Sequence, residues 1–218
     1  MAIARKGVHK KITKNFTQHE LRSRSLERGF SDGIEDFNLD DDIIECLQII
    51  RDYYGIPITV SSTGRSPKHN ASLKGSATNS QHLYKNGTAI DFSFVGMKTK
   101  GTKGYEAAIH YTHQMANKGE LYDLCFEKGL RGVGYYNSFF HIDARKQSHL
   151  STWGIGARDM RLGKTFNLDI LTTLFNKDDE DGIIDAGHNP IVKWGILTLG
   201  GIIIGKIIHS GMSDHKKR

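Results

Sequence analysis

The clearest periodicity in the chain runs over residues 40–54. Ile43, Ile44, Leu47 and Ile50 recur at helical spacing and fall on one face. Asp40, Asp41 and Asp42 crowd the start, where a helix dipole favours negative charge, and Gly55 and Pro57 close the end. A short strand is predicted over 56–62, then a Ser-, Asn-, Lys- and Gly-rich loop over 65–81. Residues 88–95 alternate with period two: Ala89, Asp91 and Ser93 on one face, Ile90, Phe92 and Phe94 on the other. Residues 105–129 predict one long helix or two short ones, and 134–143 a second strand rich in Tyr and Phe. Thr17 and Glu20 have capping-box spacing, which predicts a helix start. Helices and strands alternate without a β-α-β rhythm, so the expected class is α+β: a small antiparallel sheet flanked by helices.

The far end follows another pattern. Residues 191–208 hold eleven Ile, Val, Leu or Trp, four Gly, one Thr and two Lys. As a helix this segment would be roughly 27 Å long, close to a hydrocarbon core. Lys193 and Lys206 lie where they can snorkel, and Gly201 and Gly205 have the small-xxx-small spacing of packed helices and oligomers. A membrane span fits, and so does an apolar helix packed on the domain or between copies. The expected division is a domain over 1–158, a linker over 159–190, an apolar helix over 191–209 and a basic tail over 210–218. Within the linker, Asp179, Asp181, Gly182 and Ile184 match part of a calcium loop, but Lys177 and His188 stand where acids are required. Calcium is therefore not expected at 177–188; an acidic, solvated turn is.

The 218 residues suit one good-sized domain plus an appendage. With 38% hydrophobic and 25% charged residues, collagen-like, low-complexity and disulfide-dense chains are excluded. The mean hydropathy of −0.44 conceals the apolar tail. Cys46 and Cys125 are far apart and read as a reduced, buried pair. The start is basic but no apolar run follows it, so no ordinary secretory signal is expected and synthesis in a cytoplasm is. The net charge of +6 favours an anionic partner: nucleic acid, membrane surface or cell wall. No helix-turn-helix, zinc-finger or aromatic RNA-binding pattern accompanies it, so nucleic acid is not expected.

Candidate chemistry gathers in two places. Ser80-Gln81-His82 precedes a predicted strand that carries Asp91. Phe139-Phe140-His141-Ile142-Asp143 puts His141 and Asp143 on one strand face. His82, Asp91 and His141 can supply three ligands to Zn²⁺, water taking a fourth position in a catalytic site. Spacing alone favours separate structural roles for these residues over a shared metal site. His110 and His113 read as an ordinary helix surface; His9, His19, His188, His209 and His215 as solvated.

These residues resemble the M15-type zinc peptidases, the D-Ala-D-Ala carboxypeptidase and peptidoglycan endopeptidase group that includes phage endolysins. The likeness covers roughly residues 10–155 in order. Lys14-Asn15-Phe16-Thr17 with Glu20-Leu21 resembles the family's lead-in, and residues 47–60 its long helix and first strand. Arg65-Ser66-Pro67 with Asn70 is similar to its Arg-Ser-Pro-x-x-Asn loop. Ser80, His82, Gly87, Ala89 and Asp91 are similar to its Ser-x-His-x-x-Gly-x-Ala-x-Asp signature. Residues 132–145 with Trp153 resemble one branch's closing motif. The resemblance implies an M15/hedgehog-type fold and one zinc ion on His82, Asp91 and His141. It implies that Arg65 holds a substrate carboxylate or the oxyanion, and that Ser80 and Gln81 support the loop of His82. Three positions depart from the pattern. Four residues, Leu83 to Asn86, separate His82 from Gly87 where the family has two. Gly64 replaces the Tyr before the Arg. Ser138 stands where several branches have an acidic general base. Asp143 is the substitute, as base, as orienter of His141 or as a structural residue.

The expected function is a zinc metallopeptidase that cleaves peptidoglycan stem or cross-link peptides, in phage or prophage lysis or wall penetration. A non-catalytic wall-binding or virion structural protein with the same fold is the alternative. The basic end after residue 208 predicts a cytoplasmic C-terminus if the tail spans a membrane, which leaves the domain facing the wall.

Overall fold

The computed structural model describes residues 1–136 and 138–154. The linker, the acidic turn at 177–188, the apolar segment with Gly201 and Gly205, and the basic tail lie outside the described residues. Among the described residues no helix is long and apolar enough to cross a membrane.

Two short antiparallel strands, β1 (Ala2–Arg5) and β2 (Asp36–Leu39), form a separate ribbon. In β2, Phe37 and Leu39 turn inward while Asp36 and Asn38 stay outside. Helix α1 (Asp41–Tyr54) follows as its periodicity requires. Asp40 caps it by accepting from the Asp42 N–H at 2.9 Å, and Gly55 ends it in the left-handed region at φ 65°. Its buried face carries Ile43, Ile44, Cys46, Leu47, Ile50 and Tyr54. Cys46 and Cys125 are both free and buried, the Cys46 thiol meeting the Cys125 carbonyl at 3.3 Å.

Strand β3 (Ile58–Ser62) leads into the polar loop, which contains a short helix, α2 (Pro67–Ser72), capped by Ser66. Strand β4 (Ala89–Phe94) then precedes helices α3 (Lys103–Ala116) and α4 (Glu120–Glu127). The break falls at Lys118, at φ 53°, and Gly119, where a Cβ would lie 2.1 Å from the Gln114 amide oxygen.

The expected strand over 134–143 is instead a hairpin, β5 (Gly132–Tyr135) and β6 (Phe140–Asp143), turned where the Tyr136 N–H meets the Phe139 carbonyl at 3.1 Å. Strand β7 (Ser151–Gly154) completes a five-stranded sheet in the order β3-β4-β6-β5-β7. The expectation of an antiparallel sheet needs one correction, because β7 runs parallel to β5. Both edges of β6 are taken by β4 and β5, so the next strand joins at the outer edge of β5. Gln147 Nε2 bridges the Arg131 carbonyl and the Ser151 hydroxyl, which sets β7 beginning beside the start of β5.

The sheet has two unlike faces. Ile90, Phe92, Phe94, Val133, Phe140 and Ile142 pack under α1, α3 and α4, with the Tyr111 ring 4.6 Å from Phe140 and 5.6 Å from Phe92. The opposite face carries Asp91, His141 and Asp143.

Two further expectations are corrected. The capping box forms, with the Thr17 N–H donating to Glu20 at 2.8 Å, but no helix follows. The Thr63 hydroxyl takes the Leu21 and Arg22 carbonyls that a helix would have used. His110 is not on the surface: it is buried, with the Tyr54 hydroxyl 3.0 Å from Nδ1. Burial, then the neighbouring His113, pushes its pKa down from 6.5 to about 4. Between those values the unfolded chain binds a proton that the folded one refuses, so stability falls as pH drops through this window. Urea midpoints measured from pH 7 to pH 4 should decline, and less steeply in His110→Gln; equal slopes would exclude the buried imidazole as a cause.

Candidate metal centre

Strand register brings two of the centre's side chains together. Asp91 on β4 pairs with His141 on β6, and Ala89 with Asp143. His82 comes from a loop held at many points. The Ser80 hydroxyl accepts the His82 N–H at 3.2 Å, and its carbonyl accepts from Leu83 and Asn86. Gln81 Oε1 accepts from the Thr88 hydroxyl at 2.9 Å. Arg65 N–H donates to the His82 carbonyl, while Tyr84 N–H donates back to the Arg65 carbonyl.

The four residues between His82 and Gly87 form a closed turn directed away from the centre. Gly87 N–H donates to the Leu83 carbonyl, and the Tyr84 hydroxyl lies 2.7 Å from Ser23 Oγ. Gly87, at φ 60°, passes so close to β2 that a Cβ would lie 2.3 Å from the Asn38 carbonyl oxygen. At Gly64 a Cβ would lie 2.6 Å from the Phe37 ring, so an aromatic ring reaches this spot from β2 rather than from position 64.

His82 Nε2, His141 Nδ1 and Asp91 Oδ1 meet in a triangle of 2.8, 3.0 and 3.0 Å. The three residues are 3%, 7% and 5% exposed, respectively. Each imidazole has an outer acceptor. His82 Nδ1 faces the Thr63 carbonyl, which only accepts, so that nitrogen carries the proton and Nε2 presents a lone pair. His141 Nε2 faces Asp143 Oδ2 at 3.0 Å and donates to it. Burial drives His82 toward the neutral form against the pull of Asp91. Burial also opposes charge on His141, but its bonds to Asp143 and Asp91 outweigh this and raise its pKa. Burial would raise Asp91 as well; the two imidazoles instead hold it far below the usual carboxylate range. A positive charge at the centre of the triangle, a proton on His141 or a cation, is what these three atoms require.

A metal fits that requirement. Tetrahedral zinc with bonds of about 2.0–2.1 Å separates its ligands by roughly 3.3 Å, only a few tenths more than here. His82, Asp91 and His141 form the one group of potential metal ligands found among the described residues.

The flanking charges buttress the triangle. Arg65 Nη2 donates to Asp91 Oδ2 at 2.6 Å, and its Nε to Ser62 Oγ at 3.0 Å. Asp143 is fully buried behind His141. Its Oδ1 accepts from Arg145 N–H and Nε, and its Oδ2 from Arg145 Nη2. Burial raises its pKa, but Arg145 and His141 prevail and bring it to about 2. Glycines make the room: a Cβ on Gly132 would lie 2.4 Å from the Asp143 carboxylate, and one on Gly134 2.8 Å from the Trp153 indole nitrogen. The triangle sits in a groove of about 570 Å³, lined also by Arg65, Ser80, Gln81, Tyr136, Phe139 and Trp153.

The family model for peptidase M15 matches residues 14–143, a span that takes in Arg65, His82, Asp91, His141 and Asp143. The chain belongs to the peptidase M15 family. No curated protein and no solved structure matches it. Membership makes it a peptidase by family. The M15 span begins near the lead-in at Lys14 and ends on Asp143, so β7 with Trp153 lies beyond it.

Thr63 and the paired Gly132 and Gly134 were not singled out in the sequence as parts of this centre. A backbone carbonyl carries no residue signature, so Thr63 had none to give; the Gly-x-Gly spacing opposite His141 and Asp143 did. His69 was also passed over: it is buried, bonds Ser25 at 2.9 Å and stacks on Phe30 at 4.5 Å, which ties α2 to the N-terminal segment. Gly132→Ala should lower unfolding free energy by about 1–3 kcal/mol in urea titration, because the carboxylate behind it cannot retreat; an unchanged midpoint would contradict this packing.

Proposed function

We propose that His82, Asp91 and His141 hold one zinc ion and that the protein cleaves stem or cross-link peptides of peptidoglycan. The observation that carries this reading is the triangle of His82 Nε2, His141 Nδ1 and Asp91 Oδ1, within 3.0 Å of one another, in an open groove. Family membership supports the reaction class. In a three-ligand setting zinc supplies polarisation of a carbonyl and activation of water.

The protein's own residues have separable tasks. Thr63 and Asp143 fix which nitrogen each imidazole turns toward the centre. Arg65 holds the Asp91 carboxylate and adds positive charge to the groove, where it favours a substrate carboxylate or developing negative charge. Asp143 serves as the orienter of His141 rather than as the base, since each of its oxygens already accepts hydrogen bonds and it does not line the groove. Ser80 and Gln81 keep His82 in place. The +6 charge suits a wall rich in carboxylates and phosphates. Action at the bacterial wall, in lysis or wall penetration by a phage or prophage, belongs to the same proposal.

One observation favours the second reading, a wall-binding protein without turnover. Asp91 is the sole carboxylate among the described groove residues, and Ser138 stands where an acidic base is expected. Full-length protein with one equivalent of zinc should release new amines from peptidoglycan, and His82→Ala should not. Wall binding without amine release by the zinc-loaded wild type would favour the second reading. Asp143→Asn should weaken zinc about 10–100-fold in chelator competition, the usual cost of losing an outer partner; an unchanged affinity would remove the orienting role.

A further inference from the structure

Strand β5 presents Gly132 and Gly134 to the side of the sheet that carries the triangle, and Tyr136, just past its end, lines the groove on that side. Gly134 lies directly opposite His141, and Tyr136 lines the same groove as that imidazole. The space over Gly134 is filled by Trp153, whose ring centre lies 5.1 Å from that of His141. The indole N–H reaches past Gly134 and donates to the Tyr136 hydroxyl oxygen at 3.0 Å. An indole nitrogen can only donate. The phenol oxygen is therefore the acceptor, and the Tyr136 O–H itself remains to be donated elsewhere. No acceptor for it lies within hydrogen-bonding distance among the described residues.

The ring is positioned rather than loose. Phe139 stacks on it at 4.4 Å and 13°, and the Arg145 guanidinium lies 4.7 Å over the Trp153 ring that steers it. Tyr136 is still 37% exposed, as a wall of the groove and not a member of the core. Arg65 lines the same groove. A steered O–H donor thus lines the same groove as His141, a groove whose described residues include no carboxylate besides Asp91.

We propose that Tyr136 is a catalytic residue, donating its O–H to the scissile carbonyl oxygen as negative charge gathers there, and that Trp153 is its positioning residue. The phenol keeps its proton throughout; the gain is a hydrogen bond stronger to the charged oxygen than to the ground-state carbonyl. This rests on the peptidase reading above. One such donor aimed at the developing charge is worth about 10²–10³ in kcat.

The test uses the full-length, zinc-loaded chain, a soluble cross-linked peptidoglycan fragment and a phosphinate analogue of that fragment. In Tyr136→Phe, kcat should fall about 100-fold, with KM within about threefold and zinc content unchanged. Affinity for the phosphinate, whose tetrahedral oxygens resemble the charged intermediate, should fall in parallel. Trp153→Phe, which keeps a ring over Gly134 but loses the N–H, should show a smaller parallel loss in kcat and phosphinate affinity. A kcat within threefold of wild type, or a loss that tracks lost zinc, would overturn the proposal while leaving the peptidase reading intact. A zinc-loaded wild type that cleaves nothing would overturn both.

Discussion

The arrangement depends on keeping a carboxylate charged inside the protein. Asp91 is almost wholly buried, and an unpaired buried carboxylate costs several kcal/mol. The charge is met on both oxygens: Arg65 at 2.6 Å on Oδ2, His82 and His141 on Oδ1. Without Arg65 the carboxylate would face two imidazoles alone and its orientation would be free. With Arg65 in place, Oδ1 is aimed at the point where the two histidines converge.

The outer partners follow from that constraint. An imidazole used as a donor of electrons must place its proton elsewhere, and Thr63 and Asp143 receive it. The Asp143 carboxylate is itself buried and therefore has its own cation, Arg145. This chain of compensation, from Asp91 to His141 to Asp143 to Arg145, ends at the groove edge, where Arg145 stacks on Trp153. Positions 132 and 134 lack side chains because the Asp143 carboxylate and the Trp153 indole occupy their space.

The sheet makes such a polar network affordable by separating it from the core. Period-two alternation sends Ile90, Phe92, Phe94, Phe140 and Ile142 to the helices, and Asp91, His141 and Asp143 to the groove. The aromatic layer around Tyr111 and Phe140 fixes strand positions on one side. On the other, that rigidity holds His141 Nδ1 2.8 Å from Asp91 Oδ1. His82, which the sheet does not carry, depends instead on the loop of Ser80, Gln81 and Arg65. The extra turn from Leu83 to Asn86 strengthens that loop through Tyr84 and Ser23.

What was legible in the sequence was whatever has a short period. Helix α1, the two faces of β4 and the shared face of His141 and Asp143 depend on neighbours two to four residues apart, and they formed as the pattern required. The ordered motifs that placed Arg65, His82, Asp91 and His141 in one family were also legible, since the order of residues is itself sequence. The tertiary structure decided what depends on partners far away in the chain. The Thr17 capping box stopped short because Thr63 took the carbonyls a helix needed. His110 became buried because Tyr54 and the core closed over it. Strand β7 ran parallel to β5 because Gln147 set it beginning beside the start of that strand. Asp143 stands behind His141 rather than in the groove because Gly132 opens a space there and Arg145 holds it. Which nitrogen His82 turns to the centre was likewise set across the fold, by the Thr63 carbonyl, and such a contact leaves no local period to read.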